Sequence, residues 1–112
     1  MRYYIIAGEA SGDLHGSNLI KEIKKLDKNS EFRCWGGDLI KEQCGNLVKH
    51  YKDYSYMGFF EVFKNIIKIV NNISLCKKDI LNFKPDAIIY VDFPGFNMRI
   101  AKWAKSKNFT NH

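Results

Sequence analysis

Short apolar runs recur along the chain and predict four β-strands. Residues 3–7 and 87–91 are almost wholly apolar and rich in β-branched and aromatic side chains. Such runs are typical of strands that are buried on both faces, as in a parallel sheet. Residues 31–35 predict a further strand, which a glycine pair ends, and residues 46–51 predict a weaker one.

Helical spacing of apolar residues fills the intervals between these strands. Within residues 14–26, Leu19, Ile20, Ile23 and Leu26 fall on one side, and most of the charged residues fall on the other. The same reasoning predicts three more helices, at residues 38–44, from residue 57 to about 82 in one or two pieces, and at residues 98–107.

Turn and capping residues separate these elements. Residues 8–13 form the predicted turn after the first strand, with Ser11 or Asp13 as the N-cap of the helix that comes next. Asp38 can cap the short second helix and Gly45 can stop it. Pro85 and Asp86 break the long helix, and Pro94 and Gly95 predict a turn before the last one.

The predicted order alternates strands and helices, βαβαβαβα. This order predicts a Rossmann-like α/β fold, with a parallel sheet in the strand order 3-2-1-4 and helices on both faces. A chain of 112 residues suits one such domain. The pattern next predicts a strand where the sequence reads Asn108 to His112, so we expect a part of a longer α/β protein.

Composition narrows the function classes only slightly. The net charge is +6, from 18 basic and 12 acidic residues, and the scattered lysines favour an ordinary solvated surface over a nucleic-acid site. The three cysteines are widely spaced, which makes a zinc site unlikely on spacing and favours a reducing, cytoplasmic compartment. No apolar stretch approaches the roughly 18 residues of a membrane span.

The glycine turn is the first candidate site. Gly8, Gly12 and Gly16 recur every four residues, so neither the GxGxxG nor the GK[ST] nucleotide fingerprint is present. This disfavours a nucleotide-dependent oxidoreductase. An ordinary tight turn explains the glycines, but the carboxylate of Glu9 after a buried strand favours a ligand site at the sheet edge.

A second carboxylate comes after the fourth predicted strand. If that strand lies beside the first, Asp92 and the glycine turn face one crevice, where a carboxylate can accept a proton from a hydroxyl group. Asn97 can bind a sugar or cap the last helix. The alternative for Asp92 is a turn-forming role. His15 can join the site, although a place on the helix surface is the more usual one.

The long helix carries more apolar residues than a surface helix needs. From Met57 onward they cover about half of its circumference at about 100° per residue. Two explanations fit this excess. The helix packs against two neighbours, including parts outside this sequence, or part of it lies in a bilayer interface or covers acyl chains.

Three blocks of the sequence resemble the lipid-A-disaccharide synthase family: AGEASGD after the first strand, MGFFEVF at the long helix and PDAIIYVDFPGFN at the fourth strand. They occur in the family's order and cover nearly the whole chain, but only the N-terminal third or so of a family member. The resemblance implies a GT-B glycosyltransferase that needs no metal or other cofactor. It also implies a place in the cytoplasm, peripheral to the inner membrane of a Gram-negative bacterium.

The reaction that the resemblance implies is an inverting sugar transfer. Diacylglucosamine passes from its UDP-linked donor to 2,3-diacylglucosamine 1-phosphate, which yields the β-1′,6-linked disaccharide precursor of lipid A and UDP. The N-terminal domain mainly serves the acceptor, and the C-terminal domain holds the UDP part of the donor.

The resemblance also implies roles for individual residues. Asp92 matches the candidate general base for the acceptor 6-hydroxyl. Met57, Gly58 and Glu61 match the block that begins the apolar, membrane-associated helix. The implied substrate-binding residues are Glu9, Ser11, Gly12, Met57 and Asn97. The implied membrane or acyl contacts are Phe59, Phe60, Phe63, Ile66 and Ile67.

Two departures from the family limit the expected activity. Gly95 stands where the family often has an aspartate, which weakens any role for a carboxylate at that position but leaves Asp92 intact. The donor domain is not within these residues, so we expect residues 1–112 to be a partial acceptor-side domain without turnover of its own. The alternative is a non-catalytic Rossmann-like module that binds a glycolipid or a partner protein.

Overall fold

Four parallel strands form one sheet. The computed structural model describes residues 1–45, 47–54 and 66–112. Its strand order is β3-β2-β1-β4, as the sequence predicts. The strands are Arg2–Ala7 (β1), Glu31–Gly36 (β2), Leu47–His50 (β3) and Ala87–Val91 (β4).

Helices cover both faces of this sheet, and a short 3-10 helix, Tyr51–Asp53, comes after β3. The α-helices are Ala10–Leu26 (α1), Asp38–Cys44 (α2), Ile66–Phe83 (α3) and Pro94–Ser106 (α4). The part of the long predicted helix before Ile66 lies outside the described residues. Together with the parallel sheet, this arrangement confirms the Rossmann-like α/β class.

Alternate residues of β1 point into two separate apolar cores. Tyr4 and Ile6 pack with residues of α3 and α4, whereas Ile5 and Ala7 pack with Ile20 of α1 and residues of α2 and β2. These four β1 side chains are fully buried. Burial on both faces explains why this strand is a continuous apolar run.

The last residues of the chain add to the outer edge of β4. The Ile88 N–H donates to the Thr110 carbonyl at 2.8 Å, and the His112 N–H donates to the Ile88 carbonyl at 2.7 Å. Asn111 forms a parallel bridge with Ile88. Strand pairing therefore resumes after the last helix, where the alternation predicts it.

The helices that come after β1 and β4 both begin earlier than the sequence predicts. The turn after β1 contains only Gly8 and Glu9, because α1 already begins at Ala10. Glu9 is its N-cap residue, so the prediction of a Ser11 or Asp13 cap is wrong. Similarly, α4 begins at Pro94, because a proline at the first helical position presets the backbone angle without losing a helical hydrogen bond.

The buried face of α1 is formed by small residues. Gly12, Gly16 and Ser17 face inward with Ile20, while Leu19 is 36% exposed and Leu26 is 89% exposed. Of the apolar residues predicted to share one side of this helix, Leu19 and Leu26 are therefore outside its buried face. A β-carbon at Gly16 would lie 2.7 Å from Cδ1 of Ile40. The helix approaches its neighbours too closely for large inward side chains.

A buried carboxylate joins α1 to α2. Asp13 is 4% exposed, and its Oδ1 accepts from the N–H groups of Gly37 at 2.8 Å and Ile40 at 2.9 Å. Its Oδ2 accepts from the Leu39 N–H at 3.0 Å. Asp13 therefore supplies the acceptor for the start of α2, and the prediction that Asp38 caps this helix is wrong. Gly45, with a φ of 92°, ends α2 as predicted.

We expect Asp13→Asn to lower the free energy of unfolding by about 3 kcal/mol, because the charge is lost and the amide NH₂, which replaces one carboxylate oxygen, faces at least one backbone N–H from which it cannot accept. Urea unfolding measures this loss. Asp38→Asn is the matched control, since Asp38 is exposed at the same helix end, and its loss should stay below about 1 kcal/mol. Equal losses in the two variants would contradict the role assigned to Asp13.

Candidate functional site

The candidate site lies where β1 and β4 end side by side. The two strands are parallel neighbours, and Ala7 pairs with Val91 at the last position of each. Gly8 and Asp92 therefore leave the sheet at the same edge. The carboxyl ends of parallel strands are where open α/β sheets bind their ligands. The structure thus brings the two predicted segments together.

Phe93 fills the space above the glycine turn. A β-carbon at Gly8 would lie 2.3 Å from Cγ of Phe93, so the ring occupies the place that a side chain would take. Gly12 lies close to the backbone of β4, and a β-carbon there would be 3.3 Å from the Val91 carbonyl oxygen. The absence of side chains at Gly8 and Gly12 therefore makes room for the Phe93 ring and for the backbone of β4.

Asp92 projects from the end of β4 into an open cleft. It is exposed, and its backbone has a φ of 44°, a region that Asp and Asn enter more readily than most residues. The cleft has a volume of about 360 Å³ and is called here the Asp92 cleft. Its lining residues are Tyr90, Asp92, Phe93, Pro94, Asn97, Met98 and Ala101. Asp92 is the sole carboxylate among them.

Asn97 ties α4 to the end of β1. The residue is 5% exposed, and its Nδ2 donates to the Ile6 carbonyl at 3.3 Å. Its Oδ1 is buried and has no hydrogen-bond partner in the described part of the chain. Because Asn97 lies inside α4, the predicted capping alternative is wrong. The wall of the Asp92 cleft thus contains one unsatisfied acceptor, which is costly unless a ligand or water pairs with it.

Tyrosines near the site are neutral donors. Tyr54 is 1% exposed and donates its hydroxyl to the Ala7 carbonyl, and burial raises its pKa far above the usual range. Burial likewise raises the pKa of Tyr90, whose hydroxyl donates to Oδ1 of Asn111 at 2.7 Å. Neither phenol can accept a proton near neutral pH. Sequence reasoning missed Tyr54, because it comes after a short polar 3-10 helix and belongs to no apolar run.

Glu9 and Ser11 lie on the solvent side of the glycine turn. Both are exposed, and the Ser11 hydroxyl donates to Oε1 of Glu9 at 3.0 Å. Neither residue lines the Asp92 cleft. His15 is exposed on α1, in agreement with the prediction of a place on the helix surface. The structure places the carboxylate of Glu9 at the first turn of α1, and its role in binding stays a prediction.

A second cavity opens on the other flank of α4. It has a volume of about 350 Å³ and is called here the α3–α4 cavity. Its lining residues in the described chain are Tyr54, Ile69, Asn72, Ile73, Phe93, Pro94, Gly95, Phe96 and Arg99. Sequence reasoning did not single out Arg99. The feature of the sequence that could have identified Arg99 is its position three residues after Phe96, on the same face of the helix.

Several predicted contact residues cannot be placed. Met57, Gly58, Phe59, Phe60, Glu61 and Phe63 lie outside the described residues. Ile66 and Ile67 are in α3, with exposed fractions of 58% and 74%. Ile73, on the same helix, is buried. The described part of α3 is therefore apolar on both its inner and its outer face.

Residues 1–45, 47–54 and 66–112 contain no group of three or more His, Cys, Asp or Glu side chains arranged to hold a metal ion. Within the same ranges, no helix is both long enough and apolar enough to cross a membrane.

These features define the class of protein as a Rossmann-like α/β domain with a cleft at the carboxyl edge of its sheet. Comparison with known protein families then identifies the particular family to which this domain belongs. The family model described as lipid-A-disaccharide synthetase matches residues 3–112, and the chain belongs to this family.

Relatives with the name lipid-A-disaccharide synthase share about a third of the sequence or more. The protein of Geobacter metallireducens is 39% identical over 104 residues, which cover 93% of this chain and 27% of that protein. The Rickettsia bellii protein is 39% identical over 102 residues, 89% of this chain and 26% of its own length. The Chlamydia pneumoniae protein is 33% identical over 99 residues, 88% of this chain and 16% of its own length. The chain thus spans about a quarter or less of these relatives.

The packing of Phe93 over the glycine turn predicts a specific coupling. Gly8→Ala should lower the free energy of unfolding by about 2 kcal/mol, because the new methyl group overlaps the ring. In a Phe93→Ala background the same change should cost less, since the ring atoms are then absent and only the β-carbon of residue 93, at 2.7 Å, stays close. Urea unfolding of the four proteins in this cycle measures the coupling.

The control for this cycle is Gly95→Ala, where a β-carbon meets nothing within 4 Å. That change should be neutral or slightly stabilising. A Gly8→Ala loss that is the same with and without the Phe93 ring would show that backbone conformation, and not the ring, requires the glycine.

Proposed function

We propose that this chain is the acceptor-side part of a glycosyltransferase of lipid A biosynthesis. In this proposal the complete enzyme transfers diacylglucosamine from its UDP-linked donor to 2,3-diacylglucosamine 1-phosphate. The products are the β-1′,6-linked disaccharide and UDP. The observation that carries the proposal is the exposed carboxylate of Asp92 at the joint end of β1 and β4, in a cleft of about 360 Å³. Membership of the family gives the substrate class.

Asp92 acts as the general base in this mechanism. Its carboxylate takes the proton of the acceptor 6-hydroxyl as that oxygen attacks the anomeric carbon of the donor sugar. The new carbon–oxygen bond forms on the face opposite the leaving group, and the bond to UDP breaks with its electron pair going to UDP. Tyr90 lines the same cleft, but its raised pKa keeps the phenol protonated. Tyr90 therefore cannot act as the base that takes the proton of the 6-hydroxyl.

The wall of the cleft can orient the sugar. In the proposal the unpaired Oδ1 of Asn97, a residue that lines the same cleft, accepts from a sugar hydroxyl. In the proposal Glu9, Ser11 and Gly12, at the start of α1 and outside the lining of this cleft, also contact the substrate. Met57 completes the proposed set of substrate contacts, outside the described residues.

In the proposal the donor site belongs to the remainder of a longer protein. Residues 1–112 match only the N-terminal quarter or so of the relatives, and we assign UDP binding to the regions that this chain does not match. The isolated chain should then bind acceptor lipid without turning it over. No cofactor enters the mechanism, because the carboxylate and the UDP leaving group supply its proton acceptor and its leaving charge.

The outer face of α3 suits a membrane surface. Ile66, Ile67 and Val70 are each more than half exposed, with Lys68 exposed between them. Apolar residues flanked by a lysine are typical of helices that lie in a bilayer interface. This supports a peripheral place at the cytoplasmic face of the inner membrane. The alternative, packing against the rest of the protein, predicts the same exposure in the isolated domain.

A non-catalytic binding module is the second candidate function. The unpaired acceptor of Asn97 and the two cavities favour ligand binding whether or not chemistry takes place. Binding and catalysis separate in their dependence on Asp92, because a base is needed for turnover alone.

Binding of the acceptor lipid by the 112-residue chain itself tests the acceptor role. Titrating the isotope-labelled chain with diacylglucosamine 1-phosphate in mild detergent should shift the amide signals near Glu9–Asp13 and Asp92–Asn97. The detergent alone is the control and should leave these signals in place. Lipid-specific shifts elsewhere, with these segments unmoved, would contradict the proposed acceptor cleft.

A further prediction concerns turnover. In a chimera, residues 3–112 of this chain replace the matching part of the Geobacter metallireducens relative. Asp92→Asn should lower kcat at least about 100-fold with little change in KM, because only proton transfer is lost. Asparagine also tolerates the left-handed backbone of this position.

The matched control in the chimera is Asp38→Asn, an exposed carboxylate at the start of α2. It should keep the kcat of the unmodified chimera. An Asp92→Asn chimera with unchanged kcat and a raised KM would favour the binding-module alternative for this carboxylate.

A further inference from the structure

The two cavities meet at the start of α4. Phe93 and Pro94 line both the Asp92 cleft and the α3–α4 cavity. Beyond this shared segment the two linings diverge, with Asn97 and Met98 on one flank of α4 and Phe96 and Arg99 on the other. A ligand that straddles Phe93 therefore reaches both cavities.

Among the described residues that line the α3–α4 cavity, two carry a polar side chain besides Tyr54, whose hydroxyl donates to the Ala7 carbonyl. Ile69, Ile73 and Phe96 supply aliphatic and aromatic walls. Of the two polar lining side chains, Asn72 is already engaged, because its Oδ1 accepts from Nζ of Lys49 at 2.8 Å. A cavity of about 350 Å³ with such walls falls in the size range of small-molecule sites and suits a hydrocarbon chain.

The second polar residue is Arg99, and it carries an available charge. It is exposed, and no ion pair or hydrogen bond joins its guanidinium to another described residue. By contrast, Arg33 forms a two-point pair with Asp79, at 2.9 Å and 2.8 Å. A guanidinium beside an apolar cavity fits a ligand that carries an anionic oxygen group next to a hydrocarbon chain.

The chemistry of the proposed acceptor matches this division. On 2,3-diacylglucosamine 1-phosphate, the phosphate and the 2-acyl chain are attached to adjacent ring carbons. The 6-hydroxyl is at the other end of the sugar. One end of the molecule is therefore both anionic and apolar, and the other end carries the hydroxyl that must meet a base.

Resting on the proposed function, we propose that the α3–α4 cavity receives an acyl chain of the acceptor and that Arg99 binds its 1-phosphate. The sugar ring then lies across Phe93 and Pro94 with the 6-hydroxyl directed to Asp92. Arg99 and the cavity select the acceptor by its phosphate and its acyl chain together. This assigns a substrate-orienting residue and an acyl subsite on the flank of α4 away from Asp92.

The test compares two lipids on the labelled chain. One is 2,3-diacylglucosamine 1-phosphate, and the other is the same lipid without the phosphate, both in one nonionic detergent. Arg99→Gln should weaken binding of the phosphorylated lipid about tenfold, since a charge-assisted contact is lost, and leave the other lipid unaffected. Lys102→Gln is the control, because it removes an exposed positive charge from the same helix outside both cavities.

A second pair of variants tests the acyl subsite. A β-carbon at Gly95 meets no atom within 4 Å, although the residue lines the cavity. Gly95→Leu should therefore fold normally, project into the cavity mouth and weaken binding of both lipids about tenfold. Gly95→Ala is the control and should bind both lipids as the parent chain does. Dispersed amide spectra verify that each variant is folded.

The outcomes separate this inference from the proposed function. If the parent chain binds the phosphorylated lipid but Arg99→Gln and Gly95→Leu bind it equally well, the subsite is wrong and the acceptor role stands. If Arg99→Gln weakens both lipids equally, Arg99 does not recognise the phosphate. If the parent chain binds neither lipid above the detergent control, the acceptor role fails and the subsite fails with it.

Discussion

The buried end of β1 is the constraint on which the site depends. A strand enclosed on both faces has no access to water, so its last carbonyl groups need partners from the protein. Tyr54 donates to the Ala7 carbonyl, and Asn97 donates to the Ile6 carbonyl. These two contacts bring the segment after β3 and the first turns of α4 to the end of one strand. The cleft exists because elements distant in sequence satisfy the same short stretch of backbone.

Close packing at this strand end explains the glycine turn. Phe93 occupies the space over Gly8, and the first turn of α1 lies against the Val91 carbonyl through Gly12. The glycines thus set the distance between α1 and the strand that carries Asp92. Asp13 acts in the same way toward α2, by accepting from three of its first N–H groups. The geometry around the carboxylate is therefore determined mainly by backbone contacts, which a larger side chain in the turn would disrupt.

The strands and their order can be predicted from the sequence because burial on both faces leaves a continuous apolar run, and alternation with helices restricts the topology. The helix starts are less predictable, since Pro94 and Ala10 both read as turn residues until the helix beyond them is known. Asp92 is predictable from its place after a buried strand. Arg99, Tyr54 and the role of Asp13 are not, because each depends on contacts with residues far away along the chain.

The helical period of α4 places the residues that line the two cavities on different sides of the helix. Asn97 and Arg99 are two positions apart, which places them about 200° apart around the helix axis. One therefore faces the Asp92 cleft and the other faces the α3–α4 cavity. An amphiphilic ligand suits such a division, because its hydroxyl must meet a base while its hydrocarbon leaves water. A single helix that begins at the sheet edge meets both needs. The carboxylate two residues before α4 and the guanidinium of its sixth residue are therefore held on opposite flanks of one helix, which sets their separation for the proposed acceptor.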